Sequence, residues 1–198
     1  MNVFATLEGA KRFAPVFAAA QKYKSHIYLH TGYGHASIPG QPPILVHADS
    51  EGQRAALDWA FQFAAATITF AFSGFLDAYP DVTVQIAQLG GAGAIGLVAE
   101  QVQLAAQRYK IADVKSKFRN LYLDTGALGN GPEAVALSAH VVGADRIVFG
   151  TDYAPNASVA PVIEHLNASP LTPVERTAIF RDNARALLAT KGVRVSTV

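Results

Sequence analysis

The sequence predicts an α/β domain built on a parallel sheet, and three observations carry that prediction. Short apolar runs rich in β-branched and aromatic residues, such as "HIYLH" and "VTVQIAQ", are separated by longer stretches with helical spacing of apolar residues. The runs end alike, at "LHTG", "AQLGG", "LDTG" and "GTDY", each passing into a polar residue and three of them into glycine. With 51% hydrophobic and 16% charged residues over 198 positions, the chain can bury one sizeable core and forms a single domain over 1–198.

Taken in order, Glu8–Lys22 carries helical spacing through Phe13, Val16, Phe17 and Ala20, and the first strand follows at His26–His30. Gly32, Gly34, Pro39, Gly40, Pro42 and Pro43 make the next segment a loop. A helix from about Glu51 to Ala78 contains an apolar stretch, Ala56–Leu76, that approaches the ~20 residues of a membrane span. Asp58, Gln62, Thr67, Thr69 and Ser73 interrupt it and no basic cluster flanks it, so it reads as a helix buried on more than one face, by the domain or by another subunit. The second strand is Val82–Gln88, and "LGGAGAIG" then leads into a helix that runs to about Tyr109. Strands at Leu121–Asp124 and Ile147–Gly150 and a last helix at Arg181–Thr190 complete the alternation, which calls for right-handed crossovers in a parallel sheet.

Charge and cysteine content exclude several classes. Sixteen basic and fifteen acidic residues leave +1, without long runs, so no nucleic-acid footprint exists. The absence of cysteine removes disulfides, thiolate zinc sites and cysteine nucleophiles. The start "MNVFATLEGAKRF" is not a secretory signal, so the reading is a cytoplasmic protein with no membrane partner.

In parallel α/β architectures, ligands and catalytic groups gather at the carboxyl ends of strands. His30, Gln88, Asp124 and Asp152 all stand there and are expected to face one pocket, although each alone serves equally well as a helix cap or loop acceptor. The question is sharpest for Asp152, since a carboxylate at the end of the apolar "IVFG" is costly without a partner. Imidazole and carboxylate are donors that zinc or manganese accepts, and a nearby carboxylate takes the proton of an activated water. His26 cannot share an ion with His30, because four residues of strand separate them by about 13 Å. His35 and His47, in the loop after the first strand, and Asp124 at the end of the third could reach the pocket as substrate-binding or third-ligand residues. His140 and His165 lie on helices and read as structural.

The stretches "IYLHTG", "SGFLDAYPDVTVQIAQLGGA", "NLYLDTGA", "GADRIVFGTDYAP" and "LTPVERTAIFRDNARALL" resemble the second half of the amidohydrolase-related proteins, the group of aminocarboxymuconate semialdehyde decarboxylase and related metal-dependent decarboxylases and hydrolases. The resemblance runs from about Gly9 to Lys191. It implies a (β/α)8 barrel, of which four βα units equivalent to strands five to eight are present. It also implies that His30 is the metal-ligand histidine ending strand five and that Asp152 is the strand-eight aspartate, binding metal or handling the proton. A small carboxylate or aromatic substrate and a divalent zinc or manganese ion follow from the same resemblance.

Two departures qualify it. The family's His-x-His pair of strand one occurs nowhere here, and Gln88 stands where the family usually has a strand-six histidine. Glutamine hydrogen-bonds but carries no proton near neutral pH, which limits a catalytic role at Gln88. Two ligands predict weak, exchangeable metal and no turnover by the chain alone. A non-catalytic half-barrel with a structural or binding role is therefore the second reading. A third reads Gly91, Gly93 and Gly96 as a dinucleotide-binding G-x-G-x-x-G, against which Asp124 lies well beyond the ~20 residues expected for a ribose-binding acid. Open sheet edges, together with the apolar helix around Phe61–Phe72, predict a homo-oligomer.

Overall fold

Four short strands, β1 (His26–Leu29), β2 (Thr83–Ile86), β3 (Leu121–Asp124) and β4 (Ile147–Val148), lie side by side in chain order, each pair parallel. The computed structural model describes residues 2–30, 51–92, 94–126, 131–153 and 157–195. Register pairs Leu29 with Ile86, Ile86 with Leu123 and Leu123 with Ile147. Side chains alternate across a strand, so the sheet has two unlike faces. Ile27, Leu29, Val84, Ile86, Leu121, Leu123 and Ile147 point into the main hydrophobic core. His26, Tyr28, Thr83, Gln85, Tyr122 and Asp124 occupy the intervening positions. One face is therefore oily and helix-covered, and the other is polar.

The helices follow local rules. Thr6 caps α1 (Leu7–Lys11) by accepting from the Gly9 amide at 3.1 Å, and α2 (Ala14–Lys22) restarts at Pro15. The single helix expected over Glu8–Lys22 is thus two, because a proline within a helix removes a donor and crowds the preceding turn, whereas at a helix start it is tolerated. The long helix α3 (Glu51–Phe72) ends where Gly74 turns left-handed, and residues expected to continue it form a 3-10 turn at Phe75–Ala78. Phe63, Ala66 and Phe70 of α3 join the core, while Leu57 and Phe61 are 58% and 59% exposed. Buried Thr67 keeps its hydroxyl satisfied by donating to the Phe63 carbonyl at 2.8 Å. No helix among the described residues is long and apolar enough to cross a membrane.

Beyond β2, a short helical turn α4 (Leu89–Ala92) is broken inside by Gly90 and Gly91, and α5 (Ala94–Tyr109) returns the chain toward β3. The connection from β3 to β4 is α6 (Pro132–Val142), which stops at Gly143 with φ 95°. The chain closes with α7 (Ala160–Ala168), α8 (Pro173–Thr177) and α9 (Asn183–Thr190). A capping box between Thr172 and Glu175 starts α8, and a π turn at Ala178–Asp182 takes in Arg181 and Asp182, the first two residues of the expected last helix. Buried Asn183 donates to the carbonyls of Ala144 and Ile147, both at 2.7 Å, which ties α9 to the start of β4. Leu187 packs on Tyr122 and Val148, so α9 also covers part of the polar face.

The strands are shorter than the expected runs at their carboxyl ends. β1 stops before His30, β2 before Ala87 and Gln88, and β4 before Phe149 and Gly150. At β2 the backbone reverses directly after the strand, since Gln88 and Leu89 adopt positive φ.

Candidate functional site

The strand ends meet at one mouth. β1 and β4 are the outermost strands, which a flat sheet would hold about 14 Å apart, yet His30 Nε2 lies 3.3 Å from Asp152 Oδ1. The two side chains, the turn after β4 and the curvature of a partial barrel together span that distance. Asp152 has φ 55°, a left-handed conformation that aspartate tolerates better than most residues. Its carboxylate is one-fifth exposed and His30 somewhat more. The Phe63 ring meets the His30 ring edge-on at 6.3 Å and Tyr28 lies at 6.0 Å, so the imidazole rests on an aromatic floor.

Asp124 sits differently. It is only 3% exposed, and both its oxygens accept from the protein. Oδ2 takes the Gln85 amide at 2.8 Å, and Oδ1 takes the backbone N–H groups of Gln88 at 3.1 Å and Gly126 at 3.0 Å. The Tyr28 phenol lies near the same carboxylate. Burial pushes the Asp124 carboxyl above its ordinary value, with the donors from Gln85, Gln88, Gly126 and Tyr28 acting against that. The Tyr28 phenol is raised as well, first by burial and then by the Asp124 charge.

The network continues down the polar face with a defined direction. A carboxylate only accepts, so Gln85 presents its amide nitrogen to Asp124 and its oxygen to His26, 3.2 Å from Nε2. His26 Nε2 therefore carries a proton, and Nδ1 accepts from the Thr83 hydroxyl at 2.8 Å. Burial lowers the His26 pKa, which keeps the ring neutral. Nearby, Arg146 donates to the Tyr122 hydroxyl at 3.0 Å.

A second set of contacts ties β3 to β4. The Thr125 amide donates to the Val148 carbonyl at 3.1 Å. The Thr125 hydroxyl donates to the Gly150 carbonyl at 2.9 Å and accepts from the Gly150 amide at 3.1 Å. Both glycines here allow close approach: a Cβ on Gly126 would sit 3.0 Å from the Asp152 amide nitrogen, and one on Gly150 3.2 Å from Asp124 Cβ.

Of the residues singled out from sequence, His30 and Asp152 are in contact, Asp124 turns inward, and Gln88 enters the site through its backbone amide. His35 and His47 lie outside the described residues. His140 and His165 are on α6 and α7. Two glycines of the G-x-G-x-x-G pattern serve packing, Gly93 lying outside the described residues: a Cβ on Gly91 would meet the Ala60 carbonyl at 2.7 Å, and one on Gly96 would meet the Leu137 side chain at 2.1 Å. A pyrophosphate would find no open backbone cradle at either position. Sequence reasoning missed Tyr28, Gln85 and Thr125. The alternation in "HIYLH" and "VTVQIAQ" already placed Tyr28 and Gln85 on the face that ends at His30.

A nitrogen and an oxygen donor converging at 3.3 Å suit a divalent ion, and the family's metal would be held here by His30 and Asp152. Among the described residues no group of three or more His, Cys, Asp or Glu could hold one.

A family model described as Amidohydrolase matches residues 5–190. Among solved structures, the chain is similar to 5-carboxyvanillate decarboxylase from Sphingomonas paucimobilis, with TM-score 0.65 and 18% identity over 89% of this chain and 53% of that one. It is also similar to 4-oxalomesaconate hydratase from Rhodopseudomonas palustris, with TM-score 0.64 and 15% identity over 90% of this chain and 50% of that one. A third is dihydroxybenzoic acid decarboxylase from Polaromonas sp. JS666, solved with manganese and the inhibitor 2-nitroresorcinol, with TM-score 0.62 and 18% identity over 88% and 53%. Such identities speak for the fold alone, and the chain spans about half the length of these structures. Four parallel βα units covering half of such chains make a partial (β/α)8 barrel. The comparison with curated proteins returned no match.

Proposed function

The chain belongs to the amidohydrolase family, and on that premise we propose that it forms the strand-five-to-eight half of a metal-assisted hydrolase or decarboxylase site for a small carboxylate or aromatic substrate. The observation that carries this reading is the contact of His30 with Asp152, two residues 122 positions apart whose donor atoms meet across the mouth of a curled sheet. In this reading His30 and Asp152 are metal ligands. A bound zinc or manganese ion would supply a Lewis acid for a substrate oxygen. Asp152 holds or accepts the reaction's proton at its carboxylate, and Gln88 orients substrate by hydrogen bonding, since its amide moves no proton near neutral pH. His35, His47 or another polypeptide completes the ligand set.

One observation favours a second reading. Only two ligating groups converge among the described residues, as expected of a half-barrel that binds or packs without chemistry. Elemental analysis of dialysed protein, run with native mass on the same sample, separates the two. We expect well below one zinc or manganese per chain, reduced further in both His30→Ala and Asp152→Ala, and no turnover above background. Stoichiometric metal that both variants abolish restores the enzyme for this chain alone. Metal binding indifferent to both variants removes His30 and Asp152 from the site.

A further inference from the structure

The mouth has two kinds of carboxylate, and they do different work. Asp152 is one-fifth exposed at the rim, whereas Asp124 is buried beneath it and saturated with donors. Those donors come from three places: the β2 strand through Gln85, the turn after β2 through Gln88, and the segment after β3 through Gly126. Gln88 and Leu89 hold consecutive positive φ values of 55° and 51°, which non-glycine residues keep only when the surroundings impose them. Asp124 Oδ1 accepts the Gln88 amide of that turn, which the Gly90 and Gly91 amides also close by donating to the Ala87 and Gln88 carbonyls. On its other flank, Gly126 abuts the Asp152 amide and Gly150 abuts Asp124 itself, so β4's turn is seated against the same carboxylate.

We propose that Asp124 is the positioning residue of this mouth. As an acceptor-only carboxylate it directs the donor chain from Thr83 through His26 and Gln85, fixes the Gln88 turn, and seats the backbone that presents Asp152. It touches neither ion nor substrate. The position of Gln88 and Asp152 is thus set by electrostatics before any ligand arrives, a preorganisation that hydrophobic packing alone would leave loose. This deepens the metal-assisted reading but rests on it only for the metal-binding arm of the test.

The direction of the chain supplies a signature of Asp124 as an acceptor-only group, and manganese affinity supplies the one that a merely structural role would not move. Asp124→Asn has one acceptor oxygen. If that oxygen keeps the two backbone amides, the new amide nitrogen faces Gln85, which must turn over and present its own nitrogen to His26. His26 must then give up its Nε2 proton and donate from Nδ1 to Thr83. Imidazole 15N shifts read this directly: we expect the Nε2–H tautomer in the wild-type chain and the Nδ1–H tautomer in Asp124→Asn. In Asp124→Ala the amides of Gln88 and Gly126 lose their acceptor, and hydrogen exchange at both should quicken by about tenfold or more. Manganese titrated alone into the chain should bind about tenfold more weakly in the same variant.

A wild-type chain in the Nδ1–H tautomer, or an Asp124→Asn chain that keeps Nε2–H, overturns the proposal. So does Asp124→Ala with wild-type exchange at Gln88 and Gly126. If Asp124→Ala does not fold, the tautomer pair together with the manganese affinity of Asp124→Asn decides: wild-type affinity in a folded Asp124→Asn overturns the positioning role. A wild-type chain that binds no manganese defeats the metal-assisted reading, while the tautomer and exchange results still judge Asp124.

Discussion

Replacing Asp152 by asparagine, alanine and glycine tests whether that carboxylate serves ligand or fold. Its backbone has φ 55°, where Asp and Asn are tolerated because their short polar side chains bond locally. Its side chain is partly solvated and its contact is the 3.3 Å pair with His30, the kind of exposed pair worth ~0–1 kcal/mol. Asp152→Asn should therefore change the stability of the metal-free chain by less than about 0.5 kcal/mol in either direction. Asp152→Ala carries the left-handed strain of an ordinary L-residue and should lose about 1–2 kcal/mol. Asp152→Gly, free of that strain, should fall between them. For a chain of this size 1 kcal/mol corresponds to ~2–4 °C in Tm, so thermal and urea unfolding resolve the series. An Asp152→Asn loss above about 1 kcal/mol would mean a buried hydrogen-bond anchor and would refute the assignment of Asp152 to a site.

Further outcomes follow from the same geometry. Because the folded His26 pKa lies below its ordinary 6.5, the unfolded chain takes up the proton first on acidification, so stability is lost as pH falls below about 6.5. His26→Gln should flatten the drop in unfolding free energy between about pH 7 and pH 5.5, and an unchanged slope would count against a neutral buried His26. Gly91→Ala, with φ 121° and its Cβ 2.7 Å from the Ala60 carbonyl, should cost about 3 kcal/mol in urea unfolding. The wild-type chain should show no saturable NAD(H) fluorescence, and saturable binding would revive the dinucleotide reading. Native mass spectrometry at micromolar concentration should find a dimer or larger, given exposed Leu57 and Phe61 on α3 and the outer edges of β1 and β4; a monomer defeats that expectation.

The α/β alternation, the parallel order and the polar residues at strand ends were all legible in the chain, because each rests on local periodicity. Strand-end placement marked His30, Gln88, Asp124 and Asp152 by one rule and could not rank them. What separates Asp124 from Asp152 is burial and the approach of Gln85, Gln88 and Gly126 from 36 to 39 and from 2 positions away, and the two long-range contacts exist only once β2 and β3 lie in register. The break at Pro15 was readable but overridden in the reading by the apolar spacing around it.

By itself the sequence determined the element types, the missing His-x-His pair and the substitution of glutamine at position 88, since these are facts of residue identity and spacing. Only the tertiary structure decided that His30 and Asp152 meet, that the glycines of "GGAGAIG" serve helix packing at 91 and 96, and that Asp124 faces inward. The physical reason is range. Propensity and periodicity act over a few residues, whereas the 3.3 Å meeting of His30 with Asp152 depends on four strands, the turn after β4 and the helices behind them together.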